Sequence, residues 1–435
     1  MVRHGASLLA WTLLLIAAAL PAFGDTLPRR GTLGVSVDVR GGAVTAIAVI
    51  PNSPAQAAGI EPGDRLVSLD GAPVTSVADF LKRLKRPAGQ PVVLVVARSG
   101  QQLQKTIVLA PYPKESDPLV TTSYESVAID GSLRRTLVTV PNGAPARRPG
   151  VFIIGGIGCF SVDTADPQEG YRNLARALSR AGFVTMRLEK SGVGDSQGPP
   201  CYGVDFETES RSYATALQAF MADPRVDSHR VYLLGHSIGT VIAPRLAVSH
   251  GAAGVVVVAA VARSWFEYEL INWRRQLELD DNKPEDYDTE MHLKEWCMHR
   301  MLIDKLTVEA AVAERPDCKN ENPYPVTIRY VQQVADLNIL EPWTKLNVPV
   351  LAVYGGSDFI TDRADHQLIV DTVNGTHPAN GTFALVYDMD HYFWSAPSQR
   401  ASLQRLNKGG EGTYDPKAGE TIVAWLCGRA RLPSC

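Results

Sequence analysis

The sequence predicts an α/β protein: a mostly parallel sheet covered by helices on both faces, with a helical insertion and a small β-rich module in front. Three observations predict it. From Val151 onward, apolar runs of strand length alternate with segments of helical periodicity. One such run, Val231 to Leu234, leads into Gly235-His236-Ser237-Ile238-Gly239, a sharp turn that opens a helix. Upstream, residues 31–110 hold short β-branched runs separated by turns rich in glycine and proline.

At 435 residues the chain is too long for one typical domain. Its 45% hydrophobic and 20% charged residues describe a globular protein with a sizeable core. A formal net charge of −3 gives no reason to expect nucleic acid as a partner. Arg3 and His4 precede the apolar run Leu8 to Leu20, and Ala22-Phe23-Gly24 is a small-x-small site. That pattern predicts a signal peptide over residues 1–24, removed before Asp25, and hence a periplasmic or secreted protein. The alternative, an uncleaved anchor, is disfavoured because the run is short for a bilayer span. No Cys follows the run closely, so no lipid anchor is expected, and no later stretch is apolar for long enough to span a membrane.

Six cysteines in an exported chain point to disulfides rather than metal ligands. Nearest neighbours along the chain give the expected pairs Cys159–Cys201, Cys297–Cys318 and Cys427–Cys435, out of roughly fifteen full pairings. No Cys-x-x-Cys occurs, and no metal or cofactor is expected.

Within the first module, Gly31 to Val37 and Ala43 to Ile50 read as strands. Ser53-Pro54-Ala55-Gln56-Ala57-Ala58-Gly59 is a capped short helix ended by glycine. Glu61-Pro62-Gly63-Asp64 and Asp70-Gly71 are turns around the strand Arg65 to Leu69. Val77 to Leu84 has helical spacing, and Val92 to Ala97 and Lys105 to Leu109 complete the strands. The run Ser53 to Leu66 resembles the most distinctive stretch of bacterial-type PDZ domains. The resemblance implies a ligand strand added to the sheet edge, its terminal carboxylate held by backbone amides of Leu33, Gly34 and Val35. A PDZ fold that only packs on its neighbour is the structural alternative.

Residues 111–118, rich in proline and polar side chains, read as a stiff linker. The second domain, 119–435, opens with a hairpin (Ser123 to Ile129, Leu133 to Val140) turned at Asp130-Gly131. Strands Phe183 to Leu188 and Val255 to Ala259 and helices Tyr171 to Arg180, Phe206 to Met221 and Thr240 to Val248 follow. Residues 264–346 break the rhythm with helical periodicity, many charges and Trp265, Trp273, Trp296 and Trp343, as a helical cap would. Val350 to Tyr354 and Phe383 to Tyr387 resume the sheet, and Gly419 to Cys427 reads as a closing helix.

From about Ser123 to the end, this order resembles the α/β-hydrolase family, whose nucleophile elbow is Gly-x-Ser-x-Gly between strand and helix. The resemblance implies Ser237 as nucleophile, Asp358 at the end of the strand Val350 to Tyr354, and His391 as general base. Gly194-Asp195-Ser196-Gln197-Gly198 has the same pattern, but it follows a loop and meets Pro199-Pro200. Asp362 is the alternative acid. The remaining histidines, His236 among them, read as packing or surface residues.

Oxyanion donors are expected at the amide of Ile238 and in the loop Gly155-Gly156-Ile157-Gly158-Cys159. Many family members begin that loop His-Gly; here Gly155 replaces the histidine, which leaves the second donor open between Ile157 and Gly158. A Cys159–Cys201 bridge would pin the loop. The stretch Leu188 to Ser196 matches the family's loop after its fourth strand and reads mainly as a structural turn. Asp205, Glu207 and Glu209 read as a cap and favourable charges at a helix start rather than as an amine site.

The expected activity is cofactor-free hydrolysis of a carboxylic ester or thioester, on a small-molecule or acylated substrate, through an acyl-serine. The PDZ module would bind a partner or substrate C-terminus. A serine peptidase or aminopeptidase of the same fold is the first alternative. An inactive, PDZ-dependent periplasmic adaptor is the second.

Overall fold

The computed structural model describes residues 27–143, 147–322 and 324–432. The expected signal peptide at 1–24 and Cys435, with the bridge assigned to it, lie outside the described residues.

Eight strands form the large sheet, and we number these alone. They are β1 (Val120–Ile129), β2 (Ser132–Pro141), β3 (Arg148–Ile154), β4 (Val184–Leu188), β5 (Val226–His236), β6 (Gly254–Val258), β7 (Val350–Gly355) and β8 (Gly381–Val386). Their spatial order is 8-7-6-5-3-4-2-1. The β1–β2 and β2–β4 pairs are antiparallel and every other pair is parallel. Alternation along β5 shows why helices must cover both faces. Val231 and Leu233 enter one core with the helices Phe206–Ala222, Gly239–His250 and Arg363–Thr376. Tyr232 and Leu234 enter the other, with Gly170–Arg180 and Pro416–Ala430.

The cap lies between β6 and β7, built from helices that include Trp265–Leu279, Tyr287–Met298 and Ile328–Ala335. A disulfide joins Cys297 to Cys318 within it. Buried Lys294 lies 3.5 Å from both Glu269 and Glu321, so the cap's interior charges are paired.

The β-rich module folds as a six-stranded sheet with Val35–Arg40 at one edge, closed by the helices Pro54–Ala57 and Val77–Leu84. Ser53 caps the first helix by accepting from the Gln56 amide, and Pro54 occupies its first turn. Leu33, Phe80, Val92, Leu94 and Val96 fill the module's own core. Gly31–Thr32 pairs with Ala110–Pro111, so the module's two chain ends leave side by side.

The connecting segment is anchored to the second domain. Glu115 forms a fully buried ion pair with Arg187 of β4 at 2.8 Å, and Asp117 meets Arg180 at 2.5 Å. Removing one member of a buried pair leaves an uncompensated charge, so Glu115→Ala should destabilise the domain by roughly 3–5 kcal/mol. Urea unfolding monitored by intrinsic fluorescence would read that loss as a lowered midpoint.

Candidate active site

The turn after β5 dictates the site. Ser237 has φ +54°, a left-handed conformation that an L-residue holds only when its surroundings enforce it. A Cβ on Gly235 would lie 2.3 Å from the carbonyl oxygen of Gly239. One on Gly239 would lie 2.4 Å from that of Ile154. Both positions therefore need glycine, and together they let the helix start press against β3 while Ser237 projects from the sheet.

Two distant segments meet that serine. His391 Nε2 lies 3.2 Å from Ser237 Oγ, and Nδ1 lies 3.1 and 3.2 Å from the carboxylate oxygens of Asp358. Asp358, directly beyond β7, is buried and also accepts from Ile360 N (2.8 Å), Thr361 N (3.0 Å) and Thr361 Oγ1 (2.5 Å). Burial alone would raise this carboxyl. The charge and hydrogen bond of His391, with the bonds from Thr361, outweigh it and hold Asp358 well below the usual carboxylate range. An ionised Asp358 fixes the proton on Nδ1 and leaves the Nε2 lone pair facing the serine. Such an arrangement can take the Oγ proton as Oγ attacks a carbonyl.

The alternatives read from the sequence fall elsewhere. Ser196 Oγ donates to the Glu189 carbonyl and accepts from Arg135 N of β2, so it ties the turn after β4 to the sheet. Asp362 caps the helix Arg363–Thr376 and pairs with Arg263 and Arg275. Asp205 caps the helix Phe206–Ala222 and bonds Gln333 and Arg329.

Several working residues were not singled out by sequence. His236 Nε2 lies 2.8 Å from the His391 carbonyl, which can only accept, so Nε2 carries the proton. Nδ1 then accepts from Tyr171 Oη at 2.6 Å, and that hydroxyl accepts from the Gly156 amide at 2.8 Å. A chain of bonds thus joins the glycine loop to the backbone of His391. Burial, reinforced by the nearby His391 ring, pushes His236 down to about 3 and keeps it neutral.

Lys190 is the second. Its buried ammonium donates to the Gly156 carbonyl at 2.7 Å and pairs with Glu209 at 3.1 Å. A trans peptide sets its C=O and N–H in opposite directions. Holding the Gly156 carbonyl toward Lys190 therefore aims the Ile157 N–H the other way. Ile157 lines the cavity above Ser237, whereas Gly155 and Gly156 spend their amides on Tyr213 and Tyr171. The amide of Ile238 makes no hydrogen bond among the described residues.

Cys159 is joined to Cys201, which ties this loop to the segment after β4. Glu189 Oε1 accepts from Ser161 Oγ (2.8 Å), Asp163 N (3.2 Å) and Val162 N. Burial pushes Glu189 up to about 7 against those hydrogen bonds. The cavity measures about 440 Å³ and is walled by aromatics, including Phe160, Trp265, Tyr268 and Trp394, with Asp166 and Glu169 also lining it. No group of His, Cys, Asp and Glu suited to hold a metal occurs among the described residues.

Residues 165–391 match the family described as serine aminopeptidase S33, and residues 45–98 match a PDZ domain. Esterase EstD of Thermotoga maritima is 24% identical over 293 residues, covering 66% of this chain. The match spans only 64% of that esterase's length. The regulator of sigma-E protease RseP of Escherichia coli is 37% identical over 60 residues, 14% of this chain and 13% of that protein. Among solved structures, Est1E of Butyrivibrio proteoclasticus bound to ferulic acid aligns with TM-score 0.46 and 13% identity, covering 70% of this chain and 99% of that one. With a family match over half its length, the chain belongs to the serine aminopeptidase S33 family of α/β-hydrolases and carries an N-terminal PDZ domain.

Proposed function

We propose that this is an exported serine esterase that cleaves a carboxylic ester or thioester through an acyl-serine intermediate. The observation that carries the reading is Ser237 Oγ at 3.2 Å from His391 Nε2, with Asp358 on the other ring nitrogen. Ser237 Oγ attacks the acyl carbon as its proton passes to Nε2. The tetrahedral oxyanion accepts from the amides of Ile238 and Ile157, the latter favoured over Gly158 because Lys190 orients it. His391 then gives the proton to the departing alkoxide or thiolate. Water, deprotonated by the same nitrogen, releases the acid and restores Ser237.

The aromatic walls favour an apolar or aromatic acyl group. The PDZ module supports binding of a free C-terminus at Leu33, Gly34 and Val35. Two disulfides support export. A second reading, cleavage of an aminoacyl amide, is supported by the family description and by the carboxyl of Asp166 among the cavity's lining residues, an anionic partner for a substrate ammonium. Turnover of p-nitrophenyl acyl esters, acyl thioesters and aminoacyl amides side by side separates the two.

Ser237→Ala should lower ester turnover by about 10⁴-fold or more and abolish labelling by a fluorophosphonate probe. Persistent labelling would place the nucleophile elsewhere. Lys190→Met should lower kcat roughly 10–100-fold with KM little changed, because an oxyanion donor acts in the transition state. A loss confined to KM would contradict the role given to Ile157.

A further inference from the structure

The PDZ module and the catalytic domain enclose a second cavity of about 850 Å³. The module's wall carries Leu33, Gly34 and Val35 and, from the helix Val77–Leu84 and just beyond it, Leu81, Lys82 and Lys85. The catalytic domain's wall carries the bridged Cys159 and Cys201, Gly192 to Gly194 and Tyr202.

The chemistry of this cleft points to one occupant. Arg30, Lys82 and Lys85 line it, and no lining side chain among the described residues is acidic. Leu81 and Tyr202 expose large apolar side chains, 54% and 63% accessible. Val35–Arg40 is an edge strand paired only with Ala43–Val49, so its outer side can accept another strand. A carboxylate, an extended backbone and apolar side chains together describe the free C-terminal end of a peptide.

The cleft's far wall is the back of the oxyanion loop. Gly156, Ile157 and Phe160 face the reaction cavity, Cys159 faces the cleft, and Ser161 borders both. The loop is also bonded to the chain entering the module. Arg30, immediately before Gly31–Thr32, donates to Ser161 Oγ at 3.3 Å and pairs with Asp163 at 3.2 Å. Arg29 pairs with the same Asp163 and, at 2.7 Å, with Asp195. Lys85 reaches the Gly192 carbonyl from the module's helix end.

We infer that this cleft takes the C-terminal residues of a peptide between the two domains, and that its occupancy shifts the Gly155–Asp163 loop and so sets the rate of acyl transfer. The inference rests on the peptide-binding reading of the PDZ module given above. A peptide wedged against Cys159, Cys201 and Tyr202 acts on a segment whose other face holds the Ile157 amide. It shifts the loop by the difference in its affinity for the loop's positions.

The test uses the full chain with fluorescein-labelled hexapeptides of apolar last residue and free carboxylate, and their amidated counterparts. Fluorescence polarisation reads binding, p-nitrophenyl acetate reads kcat, and hydrogen exchange reads the amides of residues 155–163. Free acids should bind and amides should not. Saturation should change kcat about fivefold or more and alter exchange in that loop. Lys82→Glu with Lys85→Glu should weaken binding roughly tenfold. The Cys159→Ser, Cys201→Ser pair should retain binding and lose the response in kcat. Should that pair fail to fold, the exchange measurement on the wild-type chain decides alone. Free acids that bind while kcat and exchange stay fixed would overturn the coupling and leave the peptide-binding reading standing. If no peptide binds, that reading and this inference fall together, while the chemistry at Ser237 is judged by its own variants. Equal responses to acids and amides would overturn the carboxylate as the recognised group.

Discussion

The left-handed turn at Ser237 is the constraint on which the rest of the site depends. Its φ of +54° costs about 1–2 kcal/mol relative to ordinary backbone. The strain persists because the turn is over-determined. Ser237 N donates to the Val258 carbonyl of β6, and Gly239 lies against Ile154 of β3, so both neighbouring strands grip it. With the serine fixed at the centre of the sheet, the spatial order 8-7-6-5-3-4-2-1 brings the other groups to it. Parallel strands all end on one rim, so the segments after β7 and β8 deliver Asp358 and His391 there despite their distance along the chain.

What was legible in the sequence follows from the same fact. Ser237, Asp358 and His391 each follow an apolar strand, so strand periodicity and one motif were enough to propose them as a triad. Cys159 and Cys201, like Cys297 and Cys318, could be paired because near neighbours close short loops. The helices Arg363–Thr376 and Gln399–Asn407 were missed for a physical reason. The first carries β-branched residues and ends in Asn374-Gly375-Thr376, poor helix formers, and the second has few apolar positions. Lys190, Tyr171 and His236 left no local trace, because each works through a carbonyl or ring supplied from another segment.

The charges beside the glycine loop specify geometry more than they stabilise it. Asp163, Asp195 and Arg135 are all but inaccessible, and Arg29 inserts among them from the segment before the module. Desolvating so many charges offsets most of their mutual attraction. Apolar packing between the domains would be at least as stable but would tolerate sliding, whereas a guanidinium shared by Asp163 and Asp195 fits one position. Gly194 belongs to the same fit: a Cβ there would lie 1.8 Å from Glu189 Oε2, so only glycine lets this turn close over the buried carboxyl.

The neutrality of His236 has a consequence for the base beside it. Its ring centroid lies 5.0 Å from that of His391, and the Phe393 ring packs against it at a tilt, 4.8 Å away. In the proposed mechanism His391 becomes an imidazolium each time Ser237 attacks. A second cation at 5.0 Å, in a site shielded from water, would oppose that charge at the moment it is needed. Burial beneath Tyr171 and Phe393 removes the proton from His236, and the remaining Nε2–H still holds the His391 carbonyl in place. A polar side chain next to the proposed nucleophile thus fixes the position of the proposed base without competing for its charge, which an apolar residue could not do and a solvated histidine would do less well.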